Sequence, residues 1–214
     1  SAGNVGAVTS ESFSVAGEGT FPLVDERFTA APFGTNTISG PSGMPIALLD
    51  LLDKVDPVTG NLIPSGQSAS TDESYLFDAE KKKIVLHAAR NETVWFQLKL
   101  ENDNKNVRID CNFEGQANLN WKVLQFANVG SFKNGKKHLL PDPLISYPLA
   151  SMIPGPFAKA HEKVGYRSFV CELFVPHQTS PGIKTGSVVI HADDEEVVLD
   201  VDLNVWDFTL PDKL

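Results

Sequence analysis

Glu196-Val-Val-Leu-Asp-Val-Asp-Leu-Asn-Val-Trp206 is the stretch on which the fold turns. Val197, Leu199, Val201, Leu203 and Val205 fall on one face of an extended chain, and Asp200, Asp202, Asn204 and Trp206 on the other. A period of two belongs to a strand with one side in a core and the other toward water. Upstream, the same pattern returns. Residues 168–175 and 186–192 read as strands, and 106–113 sets Val107, Ile109, Cys111 and Phe113 against Arg108, Asp110 and Asn112. In 92–101, Val94, Phe96, Leu98 and Leu100 oppose Thr93, Trp95, Gln97 and Lys99. Residues 82–88 and 119–127 add two more. In the latter, Val123, Leu124 and Phe126 break the alternation, which predicts a bulge or burial on both faces. The acidic run Asp193-Asp-Glu-Glu196 predicts a hairpin tip held in water, and 140–156 a proline-rich connection.

Short strands with one apolar face each and no strand–helix alternation predict an all-β, antiparallel two-layer β-sandwich, Ig-like or jelly-roll-like. The first 80 residues carry a weaker pattern. Short apolar stretches at 12–15 and 21–24 sit among Gly, Pro, Ser and Thr, and 31–43 is turn-rich. Ile46, Leu49, Leu52 and Val55 recur every three residues behind Pro45, which predicts one short helix over 45–55, with a strand as the rival. Asp56-Pro-Val-Thr-Gly60 reads as a turn. The whole is expected to be a single sandwich domain, 81–211 supplying the main strands and 1–80 completing or capping it.

Composition narrows the function. Eighteen basic against 27 acidic residues leave a net charge of −9, a poor match for nucleic acid or an anionic membrane surface. No apolar run is long enough to span a membrane. Two cysteines are too few for a Cys-only zinc site. Each lies on an apolar strand face, where a free thiol acts as a small buried hydrophobe; a disulfide between layers is the alternative. The N-terminal Ser-Ala-Gly-Asn-Val-Gly-Ala-Val lacks the features of an intact signal peptide.

Catalytic templates fail on particular residues. Gly130-Ser-Phe-Lys-Asn-Gly-Lys136 has phosphate-loop spacing, but Lys137 stands where Ser or Thr is needed and no helix can follow; a basic β-turn is expected. His161-Glu162 begins a zinc-protease motif that Gly165 breaks. No Gly-x-Ser-x-Gly elbow occurs. Asp53, Asp56, Asn61 and the 193–196 tip offer calcium-type oxygens at spacings that fit no loop template, a minor reading as a calcium-stabilised extracellular domain. Asn91-Glu-Thr93 is formally a glycosylation acceptor but sits at the head of a strand needed in the core. No catalytic residue, metal ligand or cofactor is assigned.

Several stretches together resemble a family. Ala88-Ala-Arg-Asn-Glu-Thr-Val-Trp-Phe-Gln97 is similar to the A-x-N-E-x-x-x-F-Q strand of the β-sandwich that precedes the catalytic barrel in glycoside hydrolase family 123 and DUF4091-type proteins. Phe174-Val-Pro176, Ser180-Pro-Gly-Ile-Lys-Thr-Gly-Ser-Val188 and Val205-Trp-Asp-Phe-Thr-Leu-Pro211 resemble that domain's last three strands, and Leu140-Pro-Asp-Pro-Leu144 its D-P-L loop. The likeness covers about 80–211; residues 1–80 have no counterpart in it. It implies a non-catalytic accessory domain, cut from a longer secreted, periplasmic or cell-surface protein, whose catalytic carboxylates would lie in a barrel absent from this chain. The partner would be a polysaccharide or an adjacent catalytic domain.

Sugar rings stack their C–H faces on exposed aromatics, so Trp95, on a polar strand face, and Trp121 and Tyr147, near loops, are the candidate carbohydrate-binding residues. Trp206 and Phe208, beside Leu210-Pro211, are candidate domain-interface anchors. The competing reading is an Ig-like structural or protein-interaction module.

Overall fold

The computed structural model describes residues 32–101, 106–116, 118–133, 136–147 and 165–212. The stretches 12–15 and 21–24, and His161-Glu162, lie outside them. The strands are β1 (Thr37–Ser39), β2 (Pro45–Leu49), β3 (Lys54–Val55), β4 (Leu62–Ile63), β5 (Phe77–Asp78), β6 (Lys83–Arg90), β7 (Glu92–Glu101), β8 (Val107–Asn112), β9 (Asn120–Lys133), β10 (Lys136–Tyr147), β11 (Tyr166–Val175), β12 (Gly182–Ala192) and β13 (Glu195–Thr209). One 3-10 turn, Pro41–Gly43, is the only helical element among the described residues.

Two sheets face each other. The first runs β1-β2-β7-β11-β9-β10 and the second β5-β6-β13-β12-β8; a small β3-β4 pair stands apart. Phe96, Leu98, Leu100, Phe169 and Leu173 of the six-stranded sheet pack with Leu86, Ile109, Val188, Ile190, Leu199 and Val201 of the five-stranded one in a single core. These are the faces that alternation assigns inward. The odd-numbered residues Val197–Val205 of β13 are buried, and the alternate ones lean to water. Fully burying one such aliphatic side chain contributes roughly 1.5–3 kcal/mol, so a one-residue register slip would be prohibitive. The expected all-β sandwich is present. It is not purely antiparallel, because β13 pairs parallel with β6. Those strands lie far apart in sequence and no hairpin constrains their direction.

The helix expected over 45–55 is instead strand β2, a turn, and β3. Ile46, Ala47, Leu48 and Leu49 are all buried, whereas Leu52 is 87% exposed, so no helical stripe exists. Ile46 and Leu48 face the main core, while Leu49 packs with Val55, Ala69 and Leu62 under the β3-β4 hairpin. A strand buried on both faces reads as a continuous apolar run, and the three-residue spacing within it is fortuitous. Asp50 ends the strand by accepting the Leu52 amide at 3.1 Å. Buried Asn36 ties this region together: its Nδ2 donates to Leu48 and Ala69 carbonyls and its Oδ1 accepts from the Thr71 amide. Residues 33–78 therefore both extend the sheets, through β1, β2 and β5, and cover part of one outer face.

Two further readings shift. The proline-rich connection expected from residue 140 begins inside β10, with a register shift between Pro141 and Leu144. Proline is tolerated there because β10 is an edge strand and the ladder is already broken. The burial on both faces expected in 119–127 is present, with Gln125 and Phe126 both buried, while the bulge falls on the partner strand, opposite Phe126. The acidic tip is as expected: Ala192 pairs with Glu195, and Asp193 turns the hairpin at φ 53°.

Candidate functional site

Among the described residues, the outer face of the six-stranded sheet carries one exposed aromatic surface. Trp95 of β7, Glu172 of β11 and Lys122 of β9 lie in one cross-strand row. Strands spaced about 4.8 Å apart make such a row roughly 10 Å wide. Trp95 is 40% exposed and Phe174, in the next row beside Thr93 and Asn120, 36%. The rings occupy diagonal positions, within reach of one flat ligand. Glu172 accepts from Lys122 Nζ at 3.0 Å, holding an acceptor and a donor beside the indole. Apolar ring faces flanked by fixed polar groups can bind a ring that is apolar on its faces and hydroxylated at its rim.

This surface ends where the β3-β4 hairpin begins. Gln97, two residues from Trp95 on the same face, is buried, and its Nε2 donates to the Asp53 carbonyl at 2.6 Å. Beyond it Lys99 lies 4.7 Å over the Tyr166 ring, and burial holds its ammonium below the usual lysine range. Burial, and then the neighbouring Asp50 charge, raise the Asp53 carboxyl above its ordinary 3.8. Gly60, at φ 74°, lets Tyr166 close against the hairpin: a Cβ there would lie 2.6 Å from the ring.

The other candidate aromatics are placed differently. Trp121 is a core residue, 5% exposed, stacked on Phe113 at 5.5 Å and edge-on to Phe96 at 6.0 Å. It shares its face of β9 with buried Val123, and proximity to a loop in sequence does not alter that parity. Its ring is closed to a ligand on the sheet surface. The Tyr147 backbone, at the end of β10, pairs with Val123 of β9; its side chain lies outside the described residues. Trp206 and Phe208 are half-buried on the outer face of the five-stranded sheet, stacked 5.7 Å apart, with His87 against Trp206 at 6.0 Å.

Three of the family-like stretches, 88–97, 174–176 and 205–211, meet close to that stack. Asn91 turns the chain from β6 into β7 at φ 60°, a conformation asparagine tolerates better than most residues. Glu92 accepts the Ala89 amide at 2.6 Å, and the Asn91 amide donates to the Val175 carbonyl at 2.7 Å. Asn91 Nδ2 reaches the Leu210 carbonyl at 3.0 Å and Asp212 at 3.2 Å. The Arg90 guanidinium pairs with Asp207 at 3.2 Å and the Arg90 carbonyl accepts the Leu210 amide at 2.9 Å, while His177 meets Asp212 at 2.8 Å. The Asn91 side-chain amide is thus committed to residues 210–212. The glycine of Lys-Thr-Gly186 has a packing reason as well, since a Cβ there would lie 2.6 Å from the Phe113 ring.

Sequence reading did not single out the cluster of Arg108, Asp110, His191 and Glu196 on the outer face of the five-stranded sheet. Arg108 meets Asp110 at 2.7 Å, and His191 contacts Asp110 at 3.0 Å and Glu196 at 3.2 Å. Alternation alone marks these residues as outward, but only the β8-β12-β13 register gathers them. Among the described residues no group of His, Cys, Asp and Glu is arranged to hold a metal ion. The Asp56 carboxylate accepts the Val58 and Thr59 amides, which makes it a turn-former. No helix among the described residues is long and apolar enough to cross a membrane.

No family model and no curated protein matches the chain. Among solved structures it is similar to a family 123 glycoside hydrolase from Clostridium perfringens, studied for glycolipid glycan hydrolysis: 17% identity and a TM-score of 0.43 over 60% of this chain and 24% of that one. It is also similar to domains 4 and 5 of the S-layer protein SbsC, with 9% identity and a TM-score of 0.27 over 57% and 47% of the two chains. The CooA pilin subunit from enterotoxigenic Escherichia coli follows, at 12% identity and a TM-score of 0.30 over 78% and 99%. The chain spans about a quarter of the length of the glycoside hydrolase.

Proposed function

We propose that this chain is a non-catalytic accessory domain of a secreted or cell-surface protein, binding polysaccharide across the outer face of its six-stranded sheet. The observation that carries this is the exposed indole of Trp95 on a flat sheet face, in one row with the Glu172–Lys122 pair and diagonal to exposed Phe174. Exposed large aromatics on a sheet face cost solubility unless something covers them, and a sugar ring matches both the aromatic face and the polar flank. Trp95 and Phe174 act as stacking faces; Glu172 and Lys122 exchange hydrogen bonds with ring hydroxyls.

Affinity electrophoresis against a panel of soluble polysaccharides tests it. Retardation by one of them should be abolished by Trp95→Ala and weakened by Phe174→Ala. Trp121→Phe, a change in the core, should leave it intact. No retardation by any polysaccharide, or retardation indifferent to Trp95, would sink the reading.

The exit segment favours a second reading, in which Trp206 and Phe208 form an interface with another domain or chain. Residues 210–212 are held to the sandwich by Arg90, Asn91 and His177, so anything bound beside the stacked pair meets a fixed surface. Light scattering should then show concentration-dependent association that Phe208→Ser removes. A monomer at every concentration counts against it.

A further inference from the structure

Cys111 and Cys171 are the only cysteines in the sequence, sixty residues apart. They come from opposite layers. Cys111 lies on β8, the edge strand of the five-stranded sheet, and shares its inward face with Val107 and Ile109. Cys171 lies in the middle of β11, between Phe96 of β7 and Val123 of β9, and shares its inward face with Phe169 and Leu173. Both pack into the same core: Phe113, two residues from Cys111 on its inward face, stacks at 5.5 Å on Trp121, which pairs with Leu173, two residues from Cys171 on its inward face. Both are free.

We propose that Cys111 and Cys171 are a latent cross-layer disulfide, closed by exchange with a small-molecule disulfide and pinning the edge strand β8 to the opposite sheet. A disulfide needs inward-facing cysteines whose sulfurs already meet, because the bond spans only about 2.05 Å and tolerates little backbone movement. The Phe113–Trp121 stack brings the two inward faces side by side and sets the thiols toward one another across the core, and the influence of Cys111 on the Cys171 thiol agrees. Access then orders the steps, since Cys111 is partly exposed at the sheet edge while Cys171 is fully buried. The Cys111 thiolate attacks one sulfur of the small disulfide, breaks its S–S bond and releases one small thiolate. Cys171 then gives up its proton and attacks the Cys111 sulfur, expelling the second small thiolate. The two protein thiols lose two electrons and two protons; the reagent gains both as two thiols. The neighbouring Cys111 thiol, together with burial, keeps the Cys171 thiol well above the usual thiol range, so the second step is the slow one.

Incubation of the native full chain with oxidised glutathione, acid quenching, alkylation in denaturant and intact-mass measurement test this. A single glutathione adduct should appear transiently and give way to a species lighter than the reduced chain by two hydrogens, with neither thiol alkylated. That species should melt higher by roughly 5–10 °C, because a sixty-residue loop is closed in the unfolded chain. Its β8 amides should also exchange more slowly. Cys111→Ser, made at the partly exposed position so that the core stays filled, should give no closure and no shift. An adduct that persists without closing, a disulfide-linked dimer, or closure that lowers the melting temperature would each overturn the proposal. No readout involves polysaccharide, so the result is independent of the sugar-binding reading.

Discussion

Among the aromatics, the difference between Trp95 and Trp121 rests on strand parity. Both were legible as candidates, Trp95 for its polar strand face and Trp121 for its place near a loop. Trp95 shares the outward face with Thr93 and Glu172, while Trp121 shares the inward one with Val123 and meets Phe113 and Phe96. Parity within 119–127 is blurred in sequence because Leu124 and Phe126 are apolar too; the pairing with β11 is what resolves it. Trp121→Ala should destabilise by about 3–5 kcal/mol in urea unfolding, whereas Trp95→Ala should change stability by less than about 1 kcal/mol. Asp53 offers a test of sign. Its carboxyl is raised above 3.8 by burial and by Asp50, so the folded state disfavours the ionised form. The native state therefore binds the proton more tightly than the unfolded chain, and stability falls as pH rises through the folded value. Asp53→Asn should stabilise the protein at pH 7, and the gain should vanish as pH drops below 3.8. A thermal-shift titration across that range reads it.

Neighbouring residues acquire their roles through the elements that bring them together. The β6–β7 corner passes from one sheet to the other through one residue in the left-handed region, Asn91. Asn91→Ala should cost about 2–3 kcal/mol, adding conformational strain to the lost hydrogen bonds to residues 210–212. Asn91→Gly keeps the turn and should cost only about 1 kcal/mol. Equal losses in thermal unfolding would show that the ties, not the turn, dominate. The corner also explains why the stretch around Asn91-Glu92 stands out in sequence: one residue turns the chain, and the next caps Ala89. The 45–55 segment was not legible in the same way. Its apolar residues are divided between the main core and the hairpin cluster, so neither period describes them.

At the scale of the whole molecule, the five-stranded sheet joins segments far apart along the chain, as where Lys83 and Asp202 pair across 119 positions. Closing such loops precedes any gain from the contacts, so refolding should be slow for the size, on the order of seconds rather than microseconds. Stopped-flow fluorescence of the tryptophans measures it; a submillisecond main phase would show that local structure dominates instead. Side-chain alternation and turn chemistry act over a few residues. They are therefore enough to establish a two-layer β-sandwich, the inward faces of its cleanly alternating strands and the acidic hairpin tip. Non-local pairing settles the rest. It sets β6 parallel to β13, folds 33–78 into edge strands and a cover, and buries one tryptophan while opening another. It also turns the two thiols of opposite layers into one core. Each of these depends on which distant strand lies alongside or opposite, information that no local window of residues contains.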